Sequence, residues 1–326
     1  MSIEKYKWLN DIYIDINFKN LPHGIIINGP SGIGKNILAN KICESIIINP
    51  SENSSRDHMS LIHNNSHPDM YVLDKDKLGV NDISRRKESK NWDDEKGFRD
   101  VISFLNLTPS IAKNKVALIH NADLMTNEAQ NALLKSLEEP ASFSYIIMTT
   151  NRPRSLNQTI YSRCQLINIK NLSPEGVNNW LSDTGITEYT AMDFPSFATP
   201  FNILEDIQNN NQNSYKDFVI LIDKFTSNKV DQVQVLKDLN DIDIGFIEKI
   251  NYLIEFLKIL LKSRLTGSGL SGTYREFNKT NFNKLKISNI IDELNNLRFD
   301  FYSVSSINET HVMNYFLSQL KISIKQ

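Results

Sequence analysis

Short β-branched runs alternate with helix-spaced apolar positions through the first half of the chain. Ile25-Ile26-Ile27 is apolar at every position, as a parallel strand covered on both faces requires. Behind it, Ile37, Leu38, Ile42 and Ile46 recur at helical spacing. The alternation then returns. Met70-Tyr71-Val72-Leu73 predicts a second strand, Phe98 to Leu107 an amphipathic segment, and Lys115 to His120 a third strand. A helix follows with Ala129, Leu133 and Leu137 on one face, Thr126 or Asn127 placed to cap it and Pro140 to stop it. Tyr145-Ile146-Ile147-Met148 and Leu166-Ile167-Asn168-Ile169 predict the fourth and fifth strands. Strands and helices in this order make a parallel, doubly wound α/β domain over residues 1–170. The polar segment from Asn49 to Asp69 reads as a loop, and the charged one from Leu78 to Asp94 as a solvated loop or helix start.

At Ser173-Pro174-Glu175 the pattern changes. Ser before Pro is a helix-start signal, and no strand pattern occurs beyond it. The run of Asn and Gln from Asn209 to Ser214 reads as a linker. It divides the all-α remainder into a small helical domain, 171–212, and a larger one, 213–326. No repeat of solenoid period is found.

Composition narrows the function classes. A chain of 326 residues, 40% hydrophobic and 23% charged, can bury two or three cores. Its formal net charge of −2 gives no long-range attraction to nucleic acid or an anionic membrane, so any DNA contact must be local or shared with partners. Cys43 and Cys164 are the only cysteines and lie far apart, which excludes a disulfide framework and a cysteine-rich zinc site and fits a reducing cytoplasm. Met1 to Asn17 carries Glu4, Lys5, Lys7, Asp11 and Asp15 among its apolar residues, so no signal core is expected there. Tyr252 to Leu261, broken by Glu255 and Lys258, is too short for a bilayer and reads as a core helix.

The strongest chemical signal is Gly29-Pro30-Ser31-Gly32-Ile33-Gly34-Lys35-Asn36, between the first strand and the first helix. Gly29, Gly32 and Gly34 let backbone N–H groups turn inward around phosphates, and Lys35 neutralises them at a helix N-terminus. The pattern should end in Ser or Thr, whose hydroxyl holds Mg²⁺; Asn36 stands there instead. ATP or ADP is therefore the candidate ligand of a degenerate loop. Lys35 has two open readings, a nucleotide-holding cation or a vestige. His58, His63 and His67 lack cysteine partners and sit in a polar segment, so neither zinc nor any other metal is expected of them.

Together with this loop, a set of motifs resembles the AAA+ family and, within it, bacterial DNA polymerase III clamp-loader subunits, the δ′ type most closely. The carriers are Leu107-Thr108-Pro109-Ser110, Asn121-Ala122-Asp123, the string from Asn131 to Pro140 (Asn-Ala-Leu-Leu-Lys-Ser-Leu-Glu-Glu-Pro), Thr149-Thr150-Asn151 and Ser162-Arg163-Cys164. They cover roughly residues 20–170. The C-terminal half resembles the family in its helical plan and in Ile307-Asn308-Glu309-Thr310. The resemblance implies that 171–212 is a lid and 213–326 a collar that packs subunits into a ring. It implies γ/τ and δ subunits and the sliding clamp as partners, with primed DNA reached through the complex and no membrane.

The departures are equally informative. The family's active ATPases carry an Asp-Glu pair at the end of the third strand, and this chain has His120 and Asn121. Their γ-phosphate-sensing arginine has no counterpart in Ala198-Thr199-Pro200-Phe201. Four zinc-binding cysteines of many relatives are missing from Asn49 to Asp69. The resemblance thus implies a subunit of the polymerase holoenzyme, a nucleotidyltransferase by membership, that does not hydrolyse ATP itself. In that setting Arg163 acts in trans on the ATP site of a neighbour; its plain alternative is a surface arginine capping a helix end. The competing readings are a competent γ/τ-like ATPase and a small-molecule P-loop kinase, the latter short of a lid and catalytic carboxylates.

Overall fold

A parallel sheet of five strands forms around the isoleucine run. The computed structural model describes residues 3–48, 55–84, 100–242, 244–270, 272–301 and 308–324. The strands are β1 (Gly24–Asn28), β2 (Met70–Leu73), β3 (Lys115–Ile119), β4 (Ser144–Thr150) and β5 (Gln165–Asn168), in spatial order β2-β3-β4-β1-β5. All neighbouring pairs are parallel, with Ile26 opposite Met148 on one side and Leu166 on the other.

Helices cover both faces of this sheet. They are α1 (Lys7–Ile14), α2 (Lys35–Ile47), α3 (Ser55–His63), α4 (Val80–Ile83), α5 (Val101–Leu105), α6 (Asn127–Glu138) and α7 (Gln158–Tyr161). Ile25 and Ile27 join Val116, Leu118 and Ile147 under Leu9 of α1 and Leu38 and Ile42 of α2. Ile26 turns the other way, to Ala117, Ile119, Ile146 and Met148 under Phe104 of α5 and Leu133 and Leu137 of α6. Each such side chain contributes about 1.5–3 kcal/mol on burial, which is why Ile25 to Ile27 include no polar position. Of the two N-cap candidates for α6, Thr126 is the one used: its hydroxyl accepts the Ala129 N–H at 3.3 Å.

The segment from Asn49 to Asp69 departs from the loop expected of it. Residues 49–54 lie outside the described residues, but 55–63 form α3. His58 and Ile62, one turn apart, are both buried, so a histidine supplies half of a helix's inner face. His67 Nδ1 accepts the Asp69 N–H at 3.0 Å, which places its proton on Nε2, 2.8 Å from His58 Nδ1. Burial, and less strongly the neighbouring His58, hold His67 below the usual histidine range, while Asp69 opposes them. No group of three or more His, Cys, Asp or Glu side chains able to hold a metal occurs among the described residues. In the charged and amphipathic stretches that follow, residues 85–99 lie outside the described residues.

Asp69, fully buried, ties the sheet to the Leu107–Ser110 motif. Its carboxylate accepts the N–H groups of Ser110 (2.6 Å), Ile111 and Ala112 (both 2.8 Å) and lies 3.6 Å from Lys115 Nζ. Lys115 is itself buried, its ammonium 4.5 Å from the centre of the Phe104 ring. Burial alone would raise the Asp69 pKa, but the N–H groups of Ala112, Ser110 and Ile111, with Lys115, outweigh it and hold the carboxyl below its ordinary value.

Gly24, where β1 begins, sits at a crowded point. A Cβ there would lie 2.7 Å from Cys164 Sγ and 2.9 Å from Leu137 Cδ2. Burial pushes the Cys164 thiol up to about 12, so at neutral pH the sulfur is a packing atom.

The chain divides into two compact units, Met1–Asn171 and Leu172–Gln326. Apart from Asn171, the helical segments expected at 171–212 and 213–326 both fall in the second. That unit holds α8 (Pro174–Asp183), α9 (Pro200–Gln208), α10 (Ser214–Thr226), α11 (Gln232–Asp241), α12 (Phe246–Thr266), α13 (Lys284–Asp300) and α14 (Glu309–Ser323). Ser173 caps α8 by accepting the Gly176 N–H, with Pro174 in the first turn as the sequence signals. The core gathers Phe218 and Phe225 of α10, Leu253, Phe256 and Leu260 of α12, Leu294 of α13 and Leu317 of α14. One antiparallel bridge, Phe282 to Ile324, is the unit's single strand-type pairing among the described residues. No helix of the described residues is long and apolar enough to cross a membrane.

Two stability measurements follow from this packing. Asp69→Asn should lower stability by roughly 3–5 kcal/mol in urea titrations at pH 7, because Lys115 is left buried without its counter-charge. Since the folded-state carboxyl titrates below the unfolded one, its contribution is present above pH ~4 and is lost as the pH falls. Wild type and variant should converge in acid; equal midpoints at pH 7 would refute the assignment. Gly24→Ala should cost about 1–3 kcal/mol by overpacking. Cys164→Ala in the same chain, by removing the nearer obstacle, should recover part of that loss, and additive losses would count against the clash.

Candidate functional site

The phosphate loop is built from the strand end outward. Gly29 follows β1, and a Cβ there would stand 2.8 Å from the Ile169 carbonyl oxygen and 3.2 Å from Ile33 Cγ2. Gly32 (φ 71°) and Gly34 (φ 97°) take left-handed backbone, so Gly34 can begin α2 without a side-chain cap. Ile33 is buried, and its carbonyl accepts Trp8 Nε1–H of α1 at 3.0 Å. The cradle geometry is therefore kept.

What the cradle holds is its own lysine. Lys35 is buried, and its ammonium donates to the Pro30 carbonyl within the loop at 2.7 Å. Burial pulls its pKa down to about 8, with the Asp123 carboxylate opposing. Asn36, the next residue, is exposed.

The end of β3 carries an imidazole and an amide where two carboxylates would be needed. His120 is buried with Nδ1 lacking a partner among the described residues, and burial depresses its pKa against the pull of Asp74. Asn121 adopts left-handed backbone (φ 48°), donates its N–H to Thr149 Oγ1 at 3.1 Å, and accepts Asn151 Nδ2–H at 3.0 Å. Two residues beyond Asn121 stands Asp123, to which the sequence alone gives no role. Its Oδ1 accepts the Asn151 N–H at 3.0 Å and its Oδ2 lies 3.9 Å from Arg152 Nε. A carboxylate so engaged orders the turn after β4. The residue set does not fit the Mg²⁺ and attacking water of ATP hydrolysis.

Arg163 stands apart from this cluster, just past α7. Its Nη1 donates to the Thr159 carbonyl at 2.9 Å and to Ser162 Oγ at 3.2 Å, so it caps the C-terminus of α7 in the way the plain reading expects. Its Nη2 lies 2.6 Å from Glu138 Oε1 at the end of α6. About a third of the side chain remains exposed. The sequence offers one clue to Glu138, a carboxylate placed against the negative end of a helix dipole, which asks for a cation. In the second unit, Thr199 and Pro200 begin α9, and no arginine occurs from Ala198 to Phe201.

Comparison with known proteins places these features. The DNA polymerase III subunit delta′ of Haemophilus influenzae is 27% identical over 277 residues, 80% of this chain and 78% of the relative. The DNA polymerase III subunit gamma/tau of Mycoplasma genitalium is 26% identical over 342 aligned positions, 94% of this chain and 52% of the relative. Among solved structures, a DNA polymerase III gamma subunit-related protein from Thermotoga maritima aligns over 98% of this chain and 99% of its own at 15% identity and a TM-score of 0.46. The family model described as DNA polymerase III, delta subunit, matches residues 5–173, the phosphate loop, the amide-bearing end of β3 and Arg163 included. As that match takes in just over half of the residues, the chain belongs to the DNA polymerase III delta-subunit family of clamp-loader subunits.

Proposed function

We propose that this chain is a δ′-type clamp-loader subunit that does not hydrolyse ATP and offers Arg163 to the ATP site of an adjacent subunit. The observation that carries the reading is the state of its own site. Lys35 is bonded to Pro30 of its own loop, and His120 and Asn121 stand where carboxylates would organise metal and water. ATP or ADP entering the loop would have to draw Lys35 from that carbonyl, and would still meet no group able to activate water.

The partners on this reading are γ/τ and δ subunits and the sliding clamp, which the complex opens and places on primed DNA. Residues 213–326 serve as the collar for that assembly and 171–212 as the lid. In support, the larger helical segment leaves Leu285 72% exposed, with Val233, Leu265 and Ile322 also facing water. The arginine's contribution would be electrostatic: a planar guanidinium stabilises charge on a phosphoryl group as it transfers.

The purified chain should show no ATP turnover above background, and Lys35→Ala should change nothing. Mg²⁺-dependent hydrolysis abolished by Lys35→Ala would assign the chain instead to the γ/τ-like motors. Arg163→Ala should leave folding and assembly intact while lowering the ATPase rate of the reconstituted complex. A finger is worth about 10³ or more at the single site it serves. With several sites in a ring the total rate falls by a fraction and clamp loading by much more. Arg163→Lys should rescue poorly, because a point charge does not reproduce the planar fork. Clamp loading at the wild-type rate with Arg163→Ala in a fully assembled complex would show that the residue is only a helix cap.

A further inference from the structure

Arg163 does not hang free from its helix end. The guanidinium bridges two helix C-termini, donating through Nη1 to the Thr159 carbonyl of α7 and through Nη2 to Glu138 at the end of α6. Glu138 closes α6 with Glu139 directly after it, so two carboxylates meet the negative end of one helix dipole. Arg163 is the cation paired with the first of them. About a third of the side chain stays exposed beside these contacts, so the group still has donors to offer.

The backbones under both side chains are fixed to a single point. Leu137, which precedes Glu138, and Cys164, which follows Arg163, both pack against Gly24 at the start of β1, where even one added carbon would lie within 2.9 Å of each. The Arg163 carbonyl oxygen lies 3.5 Å from the same position. Neither residue can shift along its element without disturbing that contact, so the separation of carboxylate and guanidinium is set by the core.

Resting on the reading of Arg163 as a finger acting in trans, we propose that Glu138 is its positioning residue. It holds the guanidinium by Nη2 in one orientation and leaves its remaining exposed donors to face the neighbour's γ-phosphate. A long side chain with many rotamers would otherwise have to be ordered during the reaction, at the expense of rate. Glu138 touches no reacting atom and acts only through Arg163. Because the two side chains are 49% and 34% exposed, the hold is that of a surface ion pair, and its loss changes rates about two- to fivefold rather than a thousandfold.

The test uses the reconstituted clamp-loader complex and follows the part of its ATP turnover that Arg163→Ala removes. Glu138→Ala should lower kcat for that part about two- to fivefold with KM unchanged, and Glu138→Gln, whose amide oxygen still accepts from Nη2, should fall between Glu138→Ala and wild type. The double variant should be no slower than Arg163→Ala alone, since a residue acting through another has nothing to add once that one is gone. Unchanged or faster turnover with Glu138→Ala, or a double variant slower than Arg163→Ala, overturns the proposal while leaving the finger in place. If Arg163→Ala itself leaves turnover unchanged, the underlying reading falls and the proposal with it.

Discussion

The first unit depends on one constraint, that β1 be covered on both faces. A central parallel strand has no solvent side, so successive residues must satisfy two different cores, and Ile25, Ile26 and Ile27 do so by turning alternately to α2 and to α6. Everything described at the site hangs from that strand. Its register with β4 and β5 fixes the ends of the sheet, and the turns leaving those ends carry Gly29 to Asn36, His120 to Asp123, and Asn151.

Two buried lysines in the first unit, one on β3 and one at the start of α2, show how local chemistry decides the fate of a charge. Lys115 lies near a fully buried carboxylate and an aromatic face, and together they anchor the Leu107–Ser110 motif. Among the described residues Lys35 has no direct carboxylate partner, only the more distant pull of Asp123, and turns to a carbonyl oxygen. A loop that serves a triphosphate gains its counter-charge from the ligand. Here the loop closes on its own cation, which makes it self-sufficient as structure.

The sheet was readable from the chain because two-sided burial leaves an unmistakable apolar run, and the helix starts because Thr126 and Ser173 are caps whose chemistry is local. The helix α3 was not, since half of its inner face is His58, a residue that reads as polar until His67 is placed against it. Asp69 escaped for the same reason: its partners, Ser110 to Ala112, lie some forty positions away. The degenerate loop and the missing carboxylates were visible as residue identities, whereas the Arg163 and Glu138 pair needed two helix ends brought together. Periodicity carries what neighbours in sequence decide, and these contacts are decided by topology.

The crowding at Gly24 has a consequence for reach. It fixes Arg163 at the beginning of β1, while the phosphate loop springs from the strand's other end. Five residues at roughly 3.3 Å each put about 16 Å between them, more than an arginine side chain spans. On the proposed reading Arg163 therefore cannot reach this chain's own loop; the unit has a giving pole and a receiving pole, which would meet those of relatives head to tail. In this chain the receiving pole carries Asn36, His120 and Asn121 where a hydroxyl and two carboxylates would be needed. On the proposed reading it therefore belongs at the end of such a row, contributing to one neighbour and requiring nothing from another.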